Sequence, residues 1–568
     1  MMGEHAAVKL MSEPDGAVLG DLKNAVSGVR MMETLDHLAR FTKLAGTPSE
    51  RESLEGLRSQ LANIGFETSV LEHDAYISLP GKASLQIASA AYACITHSMG
   101  ISSPADGLTA DLVDLPSGRA DDLPDSGVAG KVVVIDGIAS PDVTRRMTAL
   151  GVAGIIHVSP HEHIHEMCIS PVWGSPSMQT MKDLPACVVI SVSATTGLSI
   201  REQMSKGAQR ALIHAEVDTG WRKTPLLVAE MAADEPAEEA PFVLFSGHHD
   251  TWYYGVMDNG SANACMIEVA RLAVSQRAHW RRSLRICIWS GHSQGRYSGS
   301  AWYVDQNWAD FDRRCVAHVN IDSPGGIGAG NLKNTGVMRS LRPLAARAIA
   351  QETGQVLAGK PKVRSADESL QGIGIPSMFG SLSGQFPDPE SKMRNALGWW
   401  WHTPDDLIDK IDEANLVRDA RIVLECVWRL LSEEVLPIDI FAPLEGLRSA
   451  LLPLQEKLDA NFDLGMLFAR IDAASDRLRA LQENSAPPSI NSAIMRASRE
   501  LVLLEHSRGD RFVHEPALAL PAWPVLEPLR ILSEAAPGTD SFHFAMVDAV
   551  RARNRIAWHL ERAAACMA

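Results

Sequence analysis

The segment "SGHHDTWYYGVMDNGS", residues 246–261, follows the apolar run "PFVLF" and sets His248, Asp250 and Asp258 where a buried strand would end. Imidazole and carboxylate at that spacing can hold a divalent metal; they suit zinc and also manganese. A His-x-Asp pair also arises by chance in polar turns, so the argument needs further ligands. "NIDSPGG" supplies Asp322 at the end of another apolar run, and "WWWHTPDDLIDKID" supplies His402 just before an acidic helix start. Between Asp258 and Asp322, "LRICIWSGHSQGRYSGS" places His292 and Ser293 three and four positions after Trp289. A histidine near neutral pH can act as a base or as a ligand.

These residues need elements to bring them together. From residue 240 the chain alternates: "PFVLFSGHH" reads as a strand, 260–277 as a helix, "LRICIWSG" as a strand, 298–308 as a helix and "CVAHVNIDS" as a strand. "VMRSLRPLAARAIAQET" follows as a helix, and "IGIPSMF" leads into a further strand. Such alternation with continuously apolar strands predicts an α/β fold with a mainly parallel sheet covered on both faces. Ligands bind such sheets at the carboxyl ends of the strands, where His248, Gly291–Ser293 and Asp322 all fall. Upstream, "TPSERESLEGLRSQLANIGFE" predicts an amphipathic helix capped by a Ser49–Glu52 box and ended by Gly65. Short β-branched runs such as "GKVVVIDG" and "LPACVVISVS", with helices at 141–150 and 195–206, predict a small β-rich domain over residues 110–222. It divides a catalytic domain into 1–109 and 223–436. Residues 437–568 repeat apolar positions at helical spacing and predict a helical domain.

At 568 residues the chain is too long for one hydrophobic core. A formal charge of −16 argues against nucleic acid as a partner. No run reaches the roughly 20 apolar residues of a membrane helix, and residues 1–25 carry no apolar signal-peptide core, so no membrane partner is expected. Eight dispersed cysteines without a Cys-x-x-Cys pair fit reduced thiols and a cytoplasmic location. The acidic "DEPAEEA" at 234–240 reads as an exposed turn between strands.

The "LAGTPSERE…IGFET" opening, "GHHD…DNGS", "NID" and "WHT…D", taken in order, resemble the co-catalytic zinc aminopeptidase clan. The nearest branch is that of the glutamate carboxypeptidases and transferrin receptors. The resemblance implies an aminopeptidase-like core, an inserted protease-associated domain and a C-terminal helical domain that forms a homodimer. It implies that His248 and Asp322 bind one metal, that Asp258 bridges, and that His402 binds a second metal. It also implies that Asp250 orients His248. The family has two adjacent glutamates after its tryptophan, one the general base and the other a ligand of the second metal; this chain has His292 and Ser293 there. With that carboxylate gone, one zinc ion is expected rather than two, with manganese as the other candidate metal. His292 can be the base, a ligand or a filler of space, and Glu368 in "RSADESLQGIGIP" reads as a solvated loop acid or, alternatively, a substitute base. Trp252, Arg296 and Tyr297 are candidates for binding substrate. His165 is another, although "SPHEHIHEM" also reads as a surface histidine patch. The function expected is metal-dependent hydrolysis of an amide-type bond in a small molecule or peptide. The alternatives are an inactive receptor-like protein and a single-zinc acyltransferase or cyclase.

Overall fold

The computed structural model describes residues 16–119, 123–124, 127–234, 240–364, 366–387, 396–458 and 462–567. Most of the acidic turn at 234–240 lies outside them. The described strands are, in chain order, β1 (Glu67–Ile87), β2 (Ala90–Tyr92), β3 (Ile95–Thr96), β4 (Leu108–Asp114), β5 (Val132–Asp136) and β6 (Gly154–Val158). They continue as β7 (Val188–Val192), β8 (Arg210–Met231), β9 (Phe242–His248), β10 (Ser283–Trp289), β11 (Cys315–Asp322) and β12 (Ser377–Ser381).

Strands β12, β11, β9 and β10 lie side by side and parallel, and β8 closes this part of the sheet antiparallel to β10. Every residue of β9 is buried, which explains its unbroken apolar sequence: helices cover both faces. The helix Ala262–Val274 packs on this sheet beneath Glu413–Ser432 and beside Gly28–Leu38 and Pro48–Ile64. The helix expected over 260–277 is shorter, because an irregular turn, Val256–Ser261, precedes it. The helix expected over 298–308 is two pieces, Ser298–Gln306 and Trp308–Arg314.

The helix Pro48–Ile64 begins two residues earlier than a Ser49 cap would allow. Thr47 is the cap, its side chain accepting from the Glu50 N–H, because Pro48 suits the first helical position. Glu50 then turns back to accept from Gly46 N (2.7 Å) and from the Ser290 hydroxyl. The pairing therefore sits at Thr47 and Glu50, and its carboxylate reaches the loop after β10.

The β-rich layer contains parallel β4–β5–β6–β7, with helices Pro141–Ala149 and Ala194–Ser205 against it. It has apolar clusters of its own, one around Val134 and Ile190 and one around Ile155 and Val189. A boundary at 222 falls inside β8. Strands β1 and β8, 21 and 22 residues long, pair antiparallel from the catalytic sheet into this layer. A continuous hydrogen-bonded ribbon, not a linker, joins the two. After 436 the chain is helical, in Phe441–Leu458, Gly465–Asn484, Pro487–His506, Glu527–Glu534 and Asp540–Ala565. Leu447, Leu467, Leu501 and Leu560 from this part belong to the same apolar cluster as Leu344 and Val423 of the catalytic helices. No described helix is long and apolar enough to cross a membrane.

Candidate metal centre

His248 ends β9, Asp322 ends β11, and His292 lies three residues beyond β10, so three adjacent parallel strands deliver their carboxyl ends to one place. His248 Nε2 is 3.1 Å from Asp258 Oδ1 and 3.7 Å from Asp322 Oδ2. The other Asp258 oxygen is 2.9 Å from His402 Nε2. The His292 ring stacks on that of His248 with centroids 3.6 Å apart and planes 11° apart. One ligand atom each of His248, His292 and Asp322 lies within 4.8 Å of the others.

Each of the three imidazoles is tied outward through Nδ1. His248 Nδ1 lies 2.8 Å from the Asp250 carbonyl, His402 Nδ1 2.7 Å from the Glu166 carbonyl, and His292 Nδ1 2.8 Å from Asp367 Oδ2. Oxygens of this kind only accept, so Nδ1 carries the proton and the Nε2 lone pair is left free. His248 Nε2 and Asp258 Oδ1 are buried and have no hydrogen-bond partner. Burial works against charging His248, yet Asp258 and Asp322 hold its pKa well above the usual histidine value. Burial likewise opposes ionising Asp258, but His248 and His402 hold its carboxyl well below the usual range. Buried carboxylates around the His248 and His402 nitrogens call for positive charge between them, from a proton or a metal, and this nitrogen–oxygen donor set fits a divalent ion.

The turn carrying Asp258 is held from several sides. Asp406 accepts from the N–H groups of Met257 (2.8 Å) and Asp258 (3.0 Å), while burial pushes its own pKa up to about 7. Asn259 Oδ1 accepts from Ser323 N (3.0 Å), and Asn263 Nδ2 donates to the His248 carbonyl (2.9 Å). Gly255 sits at φ +49, and a Cβ there would stand 2.3 Å from the Asp258 carbonyl oxygen; only glycine fits.

Several expected roles change. The carboxylate of Asp250 does not orient His248; the Asp250 backbone carbonyl does. The carboxylate accepts from His292 N (3.0 Å) and Ser293 N (2.8 Å), fastening the loop after β10 to the loop after β9. Glu368 is neither a solvated loop acid nor a free base: it is buried and ion-paired with Lys362 at 2.5 Å. Its neighbour Asp367 is the acid that reaches His292. The Ser293 hydroxyl donates to the Asp250 carbonyl (3.2 Å), so it brings nothing towards His402.

The histidine-rich segment is not a surface patch. His165 is buried, with Nδ1 2.5 Å from the Trp401 carbonyl and Nε2 3.2 Å from His161 Nε2. His163 stacks on Trp399, and Glu166 N donates to the His402 carbonyl (3.0 Å). The β-rich layer thus grips the loop that carries a candidate ligand. Trp252 is buried in that layer's apolar cluster, 5.8 Å from the His402 ring between centroids. Tyr297, at φ +71, is held between Trp173 (centroids 4.2 Å) and the edge of His292 (4.9 Å). Arg296 donates to the Ala517 carbonyl (3.3 Å), a structural contact with the C-terminal part of the chain.

Imidazoles and carboxylates gathered at the strand ends of a parallel α/β sheet make a candidate metal centre. Residues 227–427 match the model of Peptidase family M28. A probable glutamate carboxypeptidase of Zea mays is 23% identical over 384 residues, 56% of this chain and 53% of that protein. A probable lipoprotein aminopeptidase of Mycobacterium tuberculosis is 24% identical over 317 residues, 53% of this chain and 60% of that one. The chain spans about half the length of the curated relatives it matches. The fold is shared with a zinc aminopeptidase from Bacillus subtilis, with a TM-score of 0.56 at 19% identity over 72% of this chain and 96% of that one. It is also shared with an M28 peptidase precursor of Shewanella amazonensis, with a TM-score of 0.58 at 17% identity over 74% and 97% of the two chains.

Proposed function

We propose that the protein is a metal-dependent hydrolase of an amide-type bond in a peptide or small molecule, with zinc as the first candidate metal and manganese the second. The observation that carries this reading is the convergence of His248, His292 and His402 on Asp258 and Asp322 at the carboxyl edge of the sheet. The match of residues 227–427 to a peptidase family supports it. A divalent ion bound there would polarise the scissile carbonyl and acidify water beside it. The chain itself fixes the ligand nitrogens through their outward hydrogen bonds and walls the centre with Trp252, Trp401 and Tyr297. With neither family glutamate present, the groups left to take and return a proton are His292 Nε2 and the Asp258–His402 pair.

The β-rich layer is proposed to act as a protease-associated domain, supported by its grip on the His402 loop. A cytoplasmic location is supported by eight unpaired cysteines. A homodimer is supported by the apolar side chains that the helical part exposes.

The test is hydrolysis of a panel of aminoacyl amides, short peptides and small amides by protein stripped with chelator and then reloaded with zinc. Cleavage restored by the metal, with solvent oxygen-18 in the carboxylate product, is the expected result. Metal-loaded protein that cleaves nothing in the panel would favour a receptor-like role, and product formed without solvent oxygen would favour acyl transfer or cyclisation.

A further inference from the structure

The geometry points to a redistribution of metal ligands: we infer that a single divalent ion is held by His248 Nε2, His292 Nε2 and Asp322. In this arrangement Asp367 positions His292, and the Asp258–His402 side is left one ligand short of a second site. This rests on the metallohydrolase reading above and goes further, because it moves the residue at the lost glutamate position into the first metal's ligand set.

Three observations carry it. The ligand atoms of His248, His292 and Asp322 already lie within 4.8 Å of one another. Bond lengths of about 2.0–2.2 Å to zinc bring such atoms to roughly 3.5 Å apart, a closure that small side-chain rotations supply. Three protein ligands with an open fourth position is also the pattern of catalytic zinc sites.

Next, the His292 ring is fixed as a ligand ring is fixed. Nδ1 is bonded to Asp367 Oδ2 (2.8 Å), Asp367 Oδ1 is held by the Ser300 hydroxyl (3.0 Å), and the ring lies parallel to His248. A carboxylate behind an imidazole fixes the tautomer and raises the basicity of the other nitrogen. Finally, the opposite side offers Asp258 Oδ2 and His402 Nε2, 2.9 Å apart, while Ser293 is turned to the Asp250 carbonyl. Two protein ligands are too few for a tightly held second ion. With His292 on the metal, proton transfer falls to the Asp258–His402 pair.

The experiment is titration of metal-free protein with cobalt(II) alone, followed by visible absorption and elemental analysis. The wild type is expected to take up one tight equivalent. His292→Ala should weaken binding by at least about a hundredfold and change the spectrum. Asp367→Asn, which keeps the side-chain volume, should weaken binding by about 10- to 100-fold, and it carries the test where His292→Ala fails to fold. His402→Ala should leave the single equivalent in place. Two tight equivalents in the wild type would overturn the inference. So would cobalt binding by His292→Ala with wild-type affinity and spectrum alongside lost hydrolysis, which would make His292 the base. If cobalt binds as expected and no amide is cleaved, the ligand set stands and the hydrolase reading fails.

Discussion

Glu166 shows how much one residue outside the catalytic sheet can bear on the centre. Its carbonyl accepts the Nδ1 proton of His402 (2.7 Å) and its N–H donates to the His402 carbonyl (3.0 Å). Its own carboxyl is pushed up from 4.5 to about 8 by burial, against a hydrogen bond from Tyr253 that works the other way. Between those values the unfolded chain has released the proton and the folded chain retains it. Folding stability contributed here is therefore full below about 4.5, falls as pH rises towards 8, and is level above. Glu166→Gln keeps the shape and both backbone bonds but removes the titration. Thermal melts of metal-free protein should show the variant close to wild type at pH 4.5 and more stable than wild type at pH 8. Parallel pH profiles for the two proteins would show that Glu166 does not titrate in this range.

At the scale of elements, the strand ends were legible and their fastenings were not. His248, Asp258 and Asp322 stood out because apolar strands followed by polar turns are readable as a pattern, and His402 through the order of motifs in the family that the chain resembles. Asp406 read only as part of an acidic helix start, yet it accepts two backbone N–H groups of the turn carrying Asp258. The Glu166 and Asp250 carbonyls carry no side-chain signature at all, so sequence could not reveal that backbone oxygens orient His402 and His248. Asp367 was visible beside Glu368, but which of the two faced His292 depended on a buried ion pair with Lys362 that spacing does not encode. The capping residue was misplaced for a local reason, since Thr47 and Ser49 flank the same proline and both suit a cap. The turn yields a direct test. Asp406→Asn keeps one acceptor oxygen but sets an amide against two donors, so one backbone N–H loses its partner. Metal affinity should fall by about 10- to 100-fold, and urea unfolding should show a loss of about 1–3 kcal/mol. A variant equal to wild type in both measurements would mean that the turn holds its shape without Asp406.

In the whole molecule, the β1–β8 ribbon and the cluster joining the catalytic helices to the C-terminal helices make the three parts mechanically continuous. The periodicity after 436 announced helices with faces to bury, but much of that apolar surface goes into the catalytic core, and sequence alone gave no way to apportion it. What remains outside is specific. The helix Asp540–Ala565 exposes Phe544 (73%), Val547 (49%) and Trp558 (51%) at spacings that return to one side, and Ile531 (56%) is exposed in the helix before it. Apolar groups of this size gathered on one helix face mark an interface more often than a free surface. A second copy related by twofold symmetry is the partner proposed. Sedimentation equilibrium at micromolar concentration should then give twice the chain mass of 61.6 kDa. Phe544→Asp combined with Val547→Asp should shift that mass to the monomer while cobalt binding at the centre is retained, because neither side chain reaches the catalytic sheet. A wild-type protein that sediments as a monomer would remove the dimer, and a double variant that remains dimeric would move the interface to another face.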